Sequence, residues 1–252
     1  MASLLPDPPL VLAYMALVFC LAGLVKGVIG LGLPTVAIGL LGLVMLPTRA
    51  AAVLVVPSMV TNLWQLGQGP ALRPLAARLW PLLVATSASI LASSWVLHGL
   101  VGPRANGWLG LALVAYGGIG LAGITPRVQP RQEGWMGVVV GLLTGIVAAG
   151  TGVFVIPAIP YLGSLGLGRD DLIQGLGLFF TTSTIALGIA LFGAGTLDGP
   201  VALVSALATL PALAGMALGG WLRTRVSPPA FRRIFFVGIV MLGAYMAPAA
   251  FG

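Results

Sequence analysis

Apolar residues run through this chain almost without interruption, and charged side chains, 7% of its 252 residues, appear one or two at a time between them. A soluble domain covers itself with about a quarter charged residues, so this chain could not face water over most of its surface. A spanning helix needs roughly 20 apolar residues. With 59% hydrophobic residues, most of the sequence lies at membrane depth, and little is left for a soluble catalytic domain. The sequence predicts an all-α integral membrane protein with lipid as its main surroundings.

Twelve Lys and Arg stand against five Asp and Glu, a net charge of +7. In a soluble protein that balance suggests nucleic acid. Here the arginines flank apolar runs and read as topology signals facing lipid headgroups, so a nucleic-acid partner is excluded. Cys20 is the only cysteine and His98 the only histidine. That leaves no internal disulfide and no metal-ligand spacing, so no metal, thiol-relay or haem cofactor is expected. His98 falls at a helix end and reads as structural. Met1 to Pro9 holds Asp7 and three prolines but no basic residue, unlike a cleavable signal, so Leu10 is read as the start of the first membrane segment.

Taking Gly, Pro and Arg as punctuation, the chain divides into ten apolar segments. The first five are 10–30, 34–46, 49–67, 79–99 and 107–123; the second five are 135–150, 153–165, 172–193, 200–222 and 234–250. The second member of each set reaches only about 20 Å of a roughly 30 Å core. Each set therefore opens with a helical hairpin that enters and returns, 10–46 and 135–165. Three spanning helices follow in each.

The two hairpins resemble each other in sequence. Gly23-Leu24-Val25-Lys26-Gly27-Val28-Ile29 aligns with Gly141-Leu142-Leu143-Thr144-Gly145-Ile146-Val147, and Gly32 falls opposite Gly150. With a two-residue shift, Arg49 falls opposite Arg169 and Val60-Thr61 opposite Phe180-Thr181. This predicts an internal duplication, with one membrane repeat in 1–124, a cytoplasmic linker over 125–134 and a second repeat in 135–252. Three crossings per half invert the second repeat. With the N-terminus outside, one side collects Arg73, Arg78, Arg127, Arg131, Arg169, Arg223, Arg225, Arg232 and Arg233, and the other only Arg49 and Arg104. The arginine-rich side is then cytoplasmic, and both termini face outward.

Inverted repeats with interrupted helices are the build of many secondary transporters, which bind substrate where the breaks meet. A helix beginning inside the bilayer points unpaired N–H groups at whatever precedes it, which favours an anion. Pro34 suits the first turn of such a helix; Gly150-Thr151-Gly152 precedes the second, with Thr151 a candidate hydroxyl donor. Small residues four apart, as at Gly23 and Gly27, also suit plain helix packing. Lys26, the only lysine, lies in an apolar helix with no acidic residue in any apolar segment to neutralise it. An ionised group there costs at least about 2.5 kcal/mol unless it reaches water, a counter-charge or a ligand. Thr61-Asn62-Leu63-Trp64-Gln65 is the other polar cluster at this depth. Asn62 and Gln65 share a helix face, and Thr181-Thr182-Ser183-Thr184 occupies the corresponding place in the second half. These amides and hydroxyls could replace water around an oxyanion.

The run Gly23 to Pro34, its second copy ending in Gly150-Thr151-Gly152 and Pro157, and Pro57-Ser58 followed by Thr61-Asn62-Leu63-Trp64-Gln65 resemble the TauE/SafE sulfite exporter family. The resemblance spans nearly the whole chain. It implies a carrier of the bacterial inner membrane, not an enzyme, that exports sulfite or small organosulfonate anions without a cofactor. Combined with the residues above, it places the substrate among Lys26, Gly30, Gly32, Pro34, Asn62, Gln65, Thr144, Gly150, Thr151, Gly152, Thr181 and Thr182. An uptake carrier or channel for another small anion or sulfur compound is the alternative. The oligomeric state is left open by the sequence.

Overall fold

The computed structural model describes residues 8–96, 104–123 and 127–251; Asp7, His98, residue 124 at the end of the expected first repeat and residues 125–126 of the expected linker lie outside them. The described residues form helices and no strand: α1 (Pro8–Ile29), α2 (Leu33–Leu41), α3 (Pro47–Leu66), α4 (Leu72–Val96), α5 (Ala105–Ala122), α6 (Glu133–Thr151), α7 (Ala158–Ser164), α8 (Arg169–Gly193), α9 (Gly199–Leu222) and α10 (Pro228–Met246), closed by a 3₁₀ turn, Ala247–Ala250. Seven of them, α1, α4, α5, α6, α8, α9 and α10, are long and apolar enough to cross a membrane. Their outer faces carry Leu17, Leu142, Ile146, Leu203, Leu207 and Leu210 exposed, a surface that needs lipid against it.

α3 has the length of a crossing but a more polar composition. Its Ser58, Thr61, Asn62 and Gln65 are all buried, so the helix spends its polar side chains inside the protein. α2, with nine residues, and α7, with seven, reach about 14 and 11 Å, short of the membrane core. Each runs back along the helix before it. The Tyr14 hydroxyl on α1 donates to the Leu40 carbonyl on α2 at 2.7 Å. The Tyr161 hydroxyl on α7 donates to the Glu133 carbonyl at the start of α6 at 2.6 Å. The turns between them need glycine. Gly32 has φ +102° and a Cβ there would sit 3.0 Å from Val25; Gly152 has φ +72° and a Cβ would sit 2.8 Å from Ala51 and 2.9 Å from Ile38. Both positions combine a left-handed backbone with no room for a side chain.

Several boundaries differ from the sequence expectation. α2 stops at Leu41 rather than running to 46, and the chain after it tightens into turns in which the Leu43 and Val44 amides donate to the Leu40 and Leu41 carbonyls. Residues 153–157 are not helical, since Pro157 biases its predecessor away from the helical region, and Val153, Phe154 and Val155 are fully buried instead. α4 and α10 begin several residues before 79 and 234. Their first turns carry Arg73, Arg78, Arg232 and Arg233, which the punctuation rule reads as loop although the helix continues past the apolar core. Arg78 uses this position to pair with Glu133 at 2.7 Å and to donate to the Leu165 carbonyl at 2.8 Å, tying the starts of α4 and α6 to the end of α7.

Close backbone approach holds the bundle together. Gly23 and Gly27 are not bends; they lie inside α1 and press on Ala212, Met216 and Gly219 of α9. Their aligned partners Gly141 and Gly145 lie inside α6 and press on Leu82, Thr86 and Ser89 of α4. The six heaviest pairings are α1 with α9, α4 with α6, α5 with α10, α3 with α8, α4 with α8 and α3 with α9. Exchanging each helix for the one five places away returns the same six. α3 and α8 form the centre of this arrangement.

Gly215 on α9 is among the tightest of these contacts: a Cβ there would fall far inside contact distance of the Cys20 carbonyl, whereas one on Gly118 of α5 would meet nothing. Gly215→Ala is expected to cost about 1–3 kcal/mol through overpacking, lowering the melting temperature of the detergent-purified protein. Gly118→Ala should leave it level or slightly raised.

Candidate functional site

Lys26 sits one turn before the end of α1. It is only 4% exposed, so the flexible stem has not carried the ammonium out to the headgroups. The ammonium donates to the Thr61 hydroxyl at 3.0 Å and to the Asn62 side-chain carbonyl. Thr61 in turn donates to the Pro57 carbonyl at 2.8 Å. The Asn62 amide donates to the Thr184 hydroxyl on α8 at 3.3 Å. Three helices thus meet in one polar chain, Lys26 to Asn62 to Thr184. The Phe180 ring lies 6.0 Å from the ammonium, at the outer limit of a cation–π contact.

No carboxylate among the described residues lies within ion-pair distance of Lys26; the ion pair they contain is Arg78 with Glu133. A hydrogen bond to a charged group contributes about 1.5–3 kcal/mol, so the two acceptors offset much of the cost of burying this charge. An ammonium has three donors, and the contacts with Thr61 and Asn62 use two.

One helical turn further along α3, the Gln65 amide donates to the Gly30 carbonyl at 3.0 Å and to the Ile173 carbonyl of α8 at 3.1 Å, while its own carbonyl oxygen is buried without a partner. Gln65 therefore fastens the turn between α1 and α2 to the start of α8. Gly30 also lines a cavity of about 900 Å³, which Arg169, Arg223, Arg232 and Arg233 border. This vestibule opens at the arginine-rich end of the bundle. The gap among Ser58, Phe154, Thr184 and Leu187 leaves no volume for a water molecule.

The structure brings Lys26, Asn62, Gln65 and Gly30 together, with Thr61 and Thr184 beside them. Gly32 turns the chain into α2, and Pro34 stands in the first turn of that helix. The remaining residues expected at the site make no hydrogen bond to Lys26 or to its partners among the described residues. The Thr151 hydroxyl donates to the Val147 carbonyl at 2.7 Å and accepts from the Val153 amide at 3.2 Å, so it serves its own turn. Gly152 rests on Ala51 and Ile38, and Gly150 faces open space. Thr181 and Thr182 donate to carbonyls within α8. Thr144 is buried with its hydroxyl unpartnered.

The family model for the sulfite exporter TauE/SafE matches residues 15–246. The chain belongs to the TauE/SafE family. No curated protein and no solved structure matches it. Membership in a family of membrane transporters agrees with an all-helical chain that crosses the membrane several times, and the match runs from α1 to the end of α10, across every element that builds the Lys26 cluster and the vestibule.

Sequence reasoning passed over two features of this TauE/SafE chain. Gln174 is buried on α8 and bridges the α3–α4 connection, donating to Leu66 at 2.9 Å and to Gly69, and accepting from Ala71 at 2.8 Å. A lone Gln in an apolar helix was the available signal. The four vestibule arginines were read only as topology markers, because nothing in their spacing shows that three helix ends and a loop converge.

The polar chain predicts non-additive mutations. Asn62→Leu leaves the buried ammonium with Thr61 alone and is expected to cost about 1.5–3 kcal/mol. Adding Lys26→Met should recover part of that loss. Chemical denaturation of the two single variants and the double variant measures the coupling.

Proposed function

We propose that the chain exports sulfite or a small organosulfonate from the bacterial cytoplasm by alternating access around an anion site near the membrane midplane. One observation carries this reading. The only lysine of the chain is buried at membrane depth, is held by neutral groups, and meets no carboxylate among the described residues. A positive charge in that setting is an intramembrane functional site by default, and family membership supplies the class of solute.

In this mechanism the vestibule arginines face the cytoplasm and raise the local concentration of anions. The anion passes the Gln65 latch at Gly30 and takes the remaining donor of Lys26, with Asn62 and Thr184 completing its shell. The two halves are inverted repeats that rock about this point, and the exchange symmetry of their helix pairings supports that relation. In the alternate state the turns at Gly30, Gly32 and Pro34 and at Gly150, Thr151 and Gly152, with Thr144, Thr181 and Thr182, line the outward path. The open vestibule and the closed packing at Phe154 suit a carrier caught facing inward. Moving a monoanion out of a cell that is negative inside gains about 2.3 kcal/mol per 100 mV, so export can run without a coupling ion. Both termini are then periplasmic.

In proteoliposomes, Lys26→Met is expected to abolish sulfite flux while the protein still inserts and melts cooperatively. Flux at the wild-type rate would reject the assigned role. Wild-type flux should saturate with sulfite and change sign with imposed voltage. Flux that rises linearly with concentration would indicate a channel, and flux indifferent to voltage would exclude movement of net charge.

A further inference from the structure

The vestibule is built for more than collecting charge. Its volume of about 900 Å³ lies in the range of pockets that enclose small organic ligands, about 300–1,000 Å³, and far exceeds what a three-oxygen sulfur anion fills. Its wall has two chemistries. Arg169, Arg223, Arg232 and Arg233 supply four guanidinium groups, and no carboxylate among the described residues lines the cavity. Ile29, Leu172, Leu176 and Val237 supply a hydrocarbon surface on the same cavity.

Tyr116 belongs to the same wall. It is 2% exposed, its ring stacks edge-on against Phe235 and Phe236, and its hydroxyl is buried without a hydrogen-bond partner among the described residues. A buried hydroxyl left unpaired is costly, and a ligand acceptor brought to it by a small movement of the cavity wall would relieve it. An inorganic oxyanion could engage the guanidinium groups but would leave the hydrocarbon wall wet. An anion with a hydrocarbon body satisfies both.

We infer that the vestibule is a second binding site, specific for a soluble organic anion with an oxyanion head and a short apolar body, such as an alkylsulfonate or a carboxylate of similar length. Guanidinium groups hold the head bidentately, and the Tyr116 hydroxyl donates to it. The cavity reaches Gly30 and so leads to the Lys26 cluster, which favours a solute on its way into the protein over a resident lipid. That the ligand is cargo rests on the transport reading; that it binds does not.

Isothermal titration of the full chain in phosphatidylcholine nanodiscs separates these points, with butanesulfonate and sulfite as probes. In the Lys26→Met background, butanesulfonate should bind about tenfold or more tighter than sulfite, from burial of its methylenes. Arg223→Gln with Arg233→Gln should weaken butanesulfonate about tenfold or more, and Tyr116→Phe by a smaller factor, each with an unchanged melting temperature. Should the double variant misfold, Arg223→Gln alone provides the same comparison. Equal binding of sulfite and butanesulfonate, or indifference to the arginine changes, would overturn the inference. Displacement of butanesulfonate when phosphatidylglycerol replaces part of the nanodisc lipid would assign the cavity to lipid headgroups and overturn it as well. If butanesulfonate binds as expected while Lys26→Met still transports sulfite, the transport reading fails and the vestibule site stands.

Discussion

A single lysine side chain, buried with no carboxylate partner among the described residues, is the constraint around which this protein is arranged. Lys26 can be buried because α3 brings Thr61 and Asn62 to it as acceptors and α8 brings Thr184 behind them. That requirement explains why α3 is more polar than its neighbours and why its Ser58, Thr61, Asn62 and Gln65 all turn inward. It also explains the central place of α3 and α8, which must be close enough for an asparagine to bridge them. A carboxylate would pair with Lys26 more simply, yet would cancel the positive charge on which the proposed anion site rests.

The rest of the fold serves to hold that cluster at a depth reached from one end. Glycine contacts between α1 and α9, and between α6 and α4, let backbones touch and leave little side-chain volume in the seams. In a membrane, where apolar burial gives no driving force between helices, such close packing is what association depends on. The short helices α2 and α7 fold back on α1 and α6, so the connecting turns lie inside the protein rather than in lipid. One turn borders the open vestibule at Gly30. The other, with Val153, Phe154 and Val155, fills the space on the far side of Thr184.

Much of this was legible from residues. The spacing of Gly, Pro and Arg marked ten segments and the two that are too short to cross, since bilayer thickness fixes the length a helix needs. That Lys26, Asn62 and Gln65 belong to one region was also legible, because polar groups in apolar helices must find partners; that Lys26 bonds Thr61 and Asn62 directly was not. What was hidden depends on three-dimensional convergence. Gly23 and Gly27 read either as part of a glycine-rich hinge at the site or as a packing seam, and the neighbouring helix shows them in a packing seam. Thr151, Thr181 and Thr182 have hydroxyls that satisfy their own backbone, an option open to any Thr in a helix. The vestibule assembles from residues as distant as Gly30, Arg169 and Arg233, and no local pattern announces it.

Because Lys26 is the only lysine, labelling the lysine side-chain nitrogen with ¹⁵N gives a magnetic-resonance signal that reports on the candidate site alone. The direct test is to record that signal in lipid nanodiscs while sulfite is added. The account predicts a saturable shift that chloride at equal ionic strength does not produce. A resonance that ignores sulfite at concentrations that saturate transport would contradict it.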